Sequence, residues 1–244
     1  MAESRKSKTS PHKFSCQMRD HSEWSVLTED ELNFLNLKKV CRKYARGVVV
    51  IHEGDSCRGI YCVESGLIGI RKTDADGNSV LLGRLAGAGS TFGYRPLLAK
   101  ENHRASAEVM KESIICFIEK KAVWELLSHN PNLGLKFLQM ATRDLGKAEE
   151  EILQLSTLDL RTRFVHLLLV FMKHYGTVSR DGMVKLELPL SRIDLAAMVG
   201  ARPETITRVI RKIEEDGIAE FSGRMVTIPE VLRLHKEIEH EHHI

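Results

Sequence analysis

The sequence predicts an α+β chain: a β-roll, then a long helix, then a smaller helical unit that ends in a β-hairpin. Three observations predict it. Between Tyr44 and about Ile118, short β-branched runs alternate with glycine-containing turns. From Leu133 to Leu155, apolar residues recur at helical spacing in a charged background. From Ser191 to Gly217, two short amphipathic segments flank Gly200.

The 244 residues allow one large domain or two modest ones, and 43% hydrophobic content supports packed cores. The reading divides them into a flexible basic arm (1–20), a sensor β-roll (21–130), a dimerisation helix (131–156) and a C-terminal domain (157–244). The formal net charge is only +3, so an acidic polymer would have to be met by a local patch. The arm carries Arg5, Lys6, Lys8, Lys13 and Arg19 and lacks the apolar core of a signal peptide. No apolar run reaches the roughly 18 residues of a membrane span. The sequence therefore predicts a cytoplasmic protein with no membrane partner. Its cysteines (Cys16, Cys41, Cys57, Cys62 and Cys116) are odd in number and scattered. That is a poor disulfide framework and predicts reduced, separately placed thiols, with a redox or metal sensor as the alternative.

In the first domain, Thr28 and Glu31 form a capping box, with Leu27 and Leu32 as its hydrophobic staple. The segments VVVIHEGD, GIYCVESGLIGIRK, DADGNSVLLGRL and ESIICFIEK read as strands. Gly54-Asp55, Ser65-Gly66 and Asp76-Gly77-Asn78 read as the turns between them. The piece GSTFGYRPLLAKENHRASAE is less regular. Its glycines allow close approach of a ligand, and Arg104 offers a guanidinium to an anion, or to solvent at a surface loop.

On the long helix, Leu138, Ala141, Leu145, Ala148, Ile152 and Leu155 are spaced 3, 4, 3, 4 and 3 residues apart. That heptad seam predicts pairing with a second copy of the helix; the alternative is packing on its own β-roll.

Ser156 and Asp159 read as a cap for the next helix, which carries Leu160, Phe164, Leu167, Leu168, Phe171 and Tyr175 on one face and stops at Gly176. Met183 to Leu190 reads as a short strand. Ser191 and Asp194 cap a helix carrying Ile193, Leu195, Ala196 and Met198. Gly200 supplies a turn, and Pro203 suits the first position of the following helix. There Ile206, Val209, Ile210 and Ile213 face inward, while Glu204, Thr207, Arg208 and Arg211 face out. IAEFSGRMVTI completes the unit as a hairpin, which makes it a winged helix-turn-helix. An arginine fits guanine O6 and N7 bidentately, and a carboxylate can accept from cytosine N4. Arg202, Arg211 and Lys212 are candidate phosphate contacts. The unit thus predicts a double-stranded DNA partner.

This order of parts resembles the CRP/FNR family of bacterial transcription regulators from about residue 14 onward. IYCVESGLIGI (Ile60 to Ile70) and ETITR (Glu204 to Arg208) carry the match. The resemblance implies a cyclic-nucleotide-binding-like β-roll and a homodimer whose two winged helix-turn-helix units bind DNA. It also implies an activator that meets RNA polymerase. The E-x-x-T-R pattern is similar to the E-x-x-S-R of the FNR branch, and Pro203 stands where the cyclic-AMP branch has arginine. An inverted TTGA-type palindrome follows, with base contacts from Glu204 and Arg208 and a thymine contact from Thr207.

In the family's cyclic-AMP cassette, Gly-Glu is followed, eleven residues after the glycine, by Arg-Ser or Arg-Thr. Gly93 and Arg104 keep that spacing, but Tyr94 replaces the glutamate and Ala105 the Ser/Thr. These four residues form the expected effector pocket, for a small anion other than cyclic AMP or for no effector at all. Cys116 matches the internal cysteine of the FNR iron–sulfur site and Cys16 one of its N-terminal group; the others have no counterpart. His52 and His103 are candidate haem ligands that no spacing singles out, so the cofactor is unknown. Two other classes stay open: a ligand-binding regulatory module acting through protein contacts, and a cupin-like enzyme, for which the sequence lacks a His and carboxylate cluster.

Overall fold

The computed structural model describes residues 22–74, 79–179 and 181–239. The basic arm, Cys16 within it and the Asp76-Gly77-Asn78 turn lie outside them. By internal contacts the chain divides into two units, one ending at Gly146 and one running from Lys147, with residues 75–83 grouped with the second.

In the first unit a 3-10 turn (Glu23–Val26) leads into helix α1 (Glu29–Lys38). The capping box forms: Glu31 N–H donates to the Thr28 hydroxyl, and Thr28 N–H donates to the Glu31 carboxylate at 2.8 Å. The sheet comprises β1 (Val40–Tyr44), β2 (Val49–Ile51), β3 (Gly59–Thr73), β4 (Ser79–Gly87), β5 (Thr91–Phe92) and β6 (Ser106–Glu119). Its strand order is β1-β6-β3-β4, with β2 beside β6 and β5 beside β3. Helix α2 (Tyr94–Ala99) interrupts it, and α3 (Lys120–His129) follows it. One cluster of the core joins Trp24, Leu35, Ile60, Tyr94, Ile118, Val123 and Phe137; a second lies among Ile51, Val63, Ile68, Phe92, Val109 and Ile115.

Three sequence expectations are corrected here. Ser65-Gly66 is not a turn: β3 continues through it, and register shifts against β6 between Val63 and Ser65 and again between Ser65 and Leu67. Gly66 is needed for a bulge, at φ +100°, where a Cβ would lie 2.1 Å from Ser113 Oγ. The irregular piece also holds more structure than expected, since it contains α2 and the start of β6. Finally, the cysteines are not all separate. Cys41 and Cys116 face each other across β1 and β6 and are joined at an Sγ–Sγ distance of 2.06 Å. Their 75-residue separation conceals a pairing that strand register creates. Cys57 and Cys62 are free thiols, and burial pushes Cys62 up to about 12.

Glu23 is buried, and its Oε1 has no hydrogen-bond partner. Burial raises its pKa above 4.5, against the lowering effect of Thr91. The stability it contributes is therefore present below about pH 4.5 and lost as pH rises through the elevated value. Glu23→Gln is expected to unfold at higher urea than the parent at neutral pH, by on the order of 1–3 kcal/mol. The gap should widen as pH rises above about 4.5; a constant gap would show that the charge is not its source.

Helix α4 (Pro131–Thr157) begins in the first unit, where Leu133 and Phe137 are buried, and ends in the second. The second unit continues with α5 (Leu160–Tyr175), which buries Phe164, Leu167, Leu168 and Phe171 as its periodicity requires. Its cap is Asp159 alone, accepting from Thr162 N–H at 2.7 Å. Ser156 lies inside α4 and donates back to the Ile152 carbonyl at 2.8 Å, so it caps nothing. A small sheet orders β7 (Gly176–Val178), β8 (Val184–Glu187), β10 (Met225–Ile228) and β9 (Glu220–Ser222) as β7-β8-β10-β9. Between β8 and β9 lie α6 (Arg192–Met198) and α7 (Pro203–Glu215); α8 (Val231–Glu239) follows. The sequence reading assigned neither β7 nor α8. Of the apolar residues carried by α6, Leu195 and Ala196 are buried and Ile193 is exposed. Among the described residues no helix is long and apolar enough to cross a membrane.

Candidate nucleic-acid interface and effector pocket

The α6–turn–α7 pair is built from local signals. Ser191 and Asp194 close a capping box on α6. Gly200 turns the chain at φ +66°, and a Cβ there would meet Leu155 Cδ2 at 3.0 Å. Pro203 occupies the first turn of α7, where its missing N–H leaves no bond unmade. At the other end Gly217, at φ +64°, and the Ile218 N–H to Ile213 carbonyl bond of 3.1 Å stop the helix.

Ile206, Ile210 and Ile213 form the buried stripe of α7. Glu204, Thr207, Arg208, Arg211 and Lys212 are all exposed. At about 100° per residue, the first four share one outward face and Lys212 flanks it. Glu204, Arg208, Arg211 and Lys212 make no ion pair among the described residues. The Thr207 hydroxyl donates back to the Pro203 carbonyl at 2.9 Å, a bond that uses neither its methyl group nor its oxygen lone pairs. Arg202, the N-cap of α7, is also exposed.

Two contacts fix how this face is presented. Arg161 on α5 grips Asp216 at the end of α7 and Glu237 on α8, both at 2.6 Å. Glu214 on α7 accepts from the backbone N–H of Phe221 in β9 at 3.0 Å. The β9–β10 hairpin turns at Gly223, as expected, and sets Arg224 at its tip, a cation the sequence reading did not select. A basic residue next to a hairpin glycine was the available signal.

In the first unit Gly93, at φ +80°, is the N-cap of α2, with Tyr61 and His103 against it. Tyr94 is buried, stacks on Phe137 at 5.8 Å between ring centroids and donates from its hydroxyl to Asp144. It therefore ties α2 to α4. Ala105 is half-buried. Arg104 is exposed and forms a two-point ion pair with Glu101, at 2.8 and 3.0 Å. Bringing Arg104 to an anion at Gly93 would require exchanging Glu101 for that anion. His103 is buried, and that burial lowers its pKa against the pull of Asp55. His52 is exposed, and neither histidine belongs to a cluster of three potential metal ligands among the described residues.

Half of the seam positions on α4 are strongly exposed: Leu138, Leu145 and Ile152 are 58%, 60% and 64% accessible. Leu155 and Ala148 are also exposed, whereas Ala141 packs partly against the first unit's own core. Five of the six seam positions are thus exposed among the described residues.

Residues 41–130 match the cyclic nucleotide-binding domain model, and residues 162–237 match the Crp-like helix-turn-helix domain model. The chain is 25% identical over 226 residues to the transcriptional activator protein FnrL of Cereibacter sphaeroides, covering 91% of this chain and 90% of that protein. The fold is similar to FixK2 from Bradyrhizobium japonicum, with a TM-score of 0.70 at 23% identity, covering 81% of this chain and 96% of that one. It is also similar to CLP of Xanthomonas campestris, described as a c-di-GMP responsive global regulator. That match has a TM-score of 0.73 at 21% identity and covers 83% of this chain and 100% of the other.

Proposed function

Since this chain belongs to the CRP/FNR family, whose members are transcription regulators with a helix-turn-helix DNA-binding domain and not enzymes, we propose that it acts as a homodimer on an inverted TTGA-type palindrome. The observation that carries this is the exposed outward face of α7, on which Glu204, Thr207 and Arg208 stand together. Arg208 would read a guanine, Glu204 a cytosine amino group, and the Thr207 methyl a thymine. Arg202, Arg211 and Lys212, with Arg224 at the hairpin tip, would hold phosphates. Two-fold symmetry would then repeat the half-site in inverted order.

Residues 21–130 would be the sensor, residues 131–156 the dimerisation helix and residues 157–244 the DNA-binding domain. A small anionic effector near Gly93, Tyr94, Arg104 and Ala105 would act on α4 through Tyr94, which already touches Phe137 and Asp144. The DNA-bound dimer would meet RNA polymerase as an activator.

The test is selection from a random duplex pool, followed by titration of the winner over a range of salt. An inverted TTGA repeat, with affinity falling steeply as salt rises, is the expected result. No enriched sequence, or enrichment of a direct repeat, would overturn the reading.

A further inference from the structure

We infer that Cys41, Glu64 and Cys116 form a thiol-gated site for one thiophilic divalent cation, shut while the two cysteines are joined and opened by reduction. The site is a product of strand register. Cys41 lies opposite Cys116 across β1 and β6, so both sulfurs project on the same side of the sheet. Glu64 is brought in by a bulge. Between Val63 and Ser65, β3 advances two residues while β6 advances one, so Glu64 is the extra residue of the bulge. Its Oε2 lies 3.7 Å from Cys116 Sγ, and the three candidate ligand atoms fall within 4.8 Å of one another.

Two thiolates and a carboxylate are a donor set for zinc-like ions, with a fourth position left to water. Metal–sulfur bonds of about 2.3 Å at tetrahedral angles require sulfurs about 3.7 Å apart. The Sγ–Oε2 separation is already of that size, whereas two sulfurs joined to each other are not thiolates and cannot serve as a pair of ligands. Access is provided for, because β1 is the edge strand and Cys41 is only partly buried. A small-molecule thiolate can attack the Cys41 sulfur and break the S–S bond. A second equivalent completes the exchange, giving two protein thiols and one small-molecule disulfide. Binding the cation then releases two protons from the thiols.

The test uses the full chain and cobalt(II) alone as the probe. Oxidised protein should show no thiolate-to-cobalt charge-transfer band. Protein reduced and desalted without oxygen should show that band, with tetrahedral visible bands, at one cobalt per chain. Cys41→Ser, at a partly exposed position, should abolish the band while keeping the parent circular dichroism. Glu64→Gln should weaken cobalt binding by roughly tenfold or more. Cys57→Ser and Cys16→Ser should leave it intact. A missing band in reduced parent, a band in oxidised protein, or a band surviving Cys41→Ser would overturn the site. A band lost on Cys62→Ala but unaffected by Glu64→Gln would overturn this ligand set.

Discussion

Leu145→Lys is expected to convert the protein from dimer to monomer at micromolar concentration, with loss of at least about a hundredfold in affinity for a palindromic duplex. The side chain is 60% accessible, so the monomer should keep its circular dichroism. In a parallel pair, two-fold symmetry places each seam residue opposite its own copy. The substitution therefore removes two leucines, each worth about 1.5–3 kcal/mol on burial, and sets two ammonium groups against each other. The DNA effect is larger than any single contact. Joining two half-site binders raises affinity by about 10²–10⁴ over one alone, and that factor vanishes with the dimer. Sedimentation equilibrium and anisotropy titration read the two effects separately. A variant that remains dimeric would place the interface elsewhere.

Arg208→Ala should weaken binding to the selected site by about 1–3 kcal/mol, and a repeated selection should show relaxed preference at one base pair per half-site. Arg208 is exposed and makes no ion pair among the described residues, so the loss would reflect the DNA contact and not the fold. Lys212→Ala offers the contrast. A phosphate contact carries no base information, so binding should weaken evenly across sequences and the salt slope should fall by about one. Equal loss on all duplexes for Arg208→Ala would demote it from base reader to phosphate contact.

Much of this was legible without coordinates, and the legible parts share a cause. The Thr28–Glu31 and Ser191–Asp194 boxes, Pro203 at the start of α7 and Gly217 at its end are local signals, each read within a few residues. The isoleucine stripe of α7 and the seam of α4 are periodic, so a helix fixes which residues share a face. The outward set Glu204, Thr207 and Arg208 follows from that stripe by subtraction.

Where the reading fell short, the determining contacts are distant in sequence or short in extent. Ser65-Gly66 has the composition of a turn, yet pairing with β6 carries the chain straight on and uses the glycine for a bulge. β7 is three residues long and is a strand because β8 pairs with it. Arg104 is a free cation in the sequence, but Glu101 occupies it in the fold. The amino-acid order alone determined the long helices, the two capping boxes and the outward face of α7, because those depend on neighbours three or four positions away. Only the tertiary structure decided that Cys41 meets Cys116 and Glu64 and that Tyr94 reaches Asp144. Those encounters depend on the register of strands and helices that no local spacing encodes.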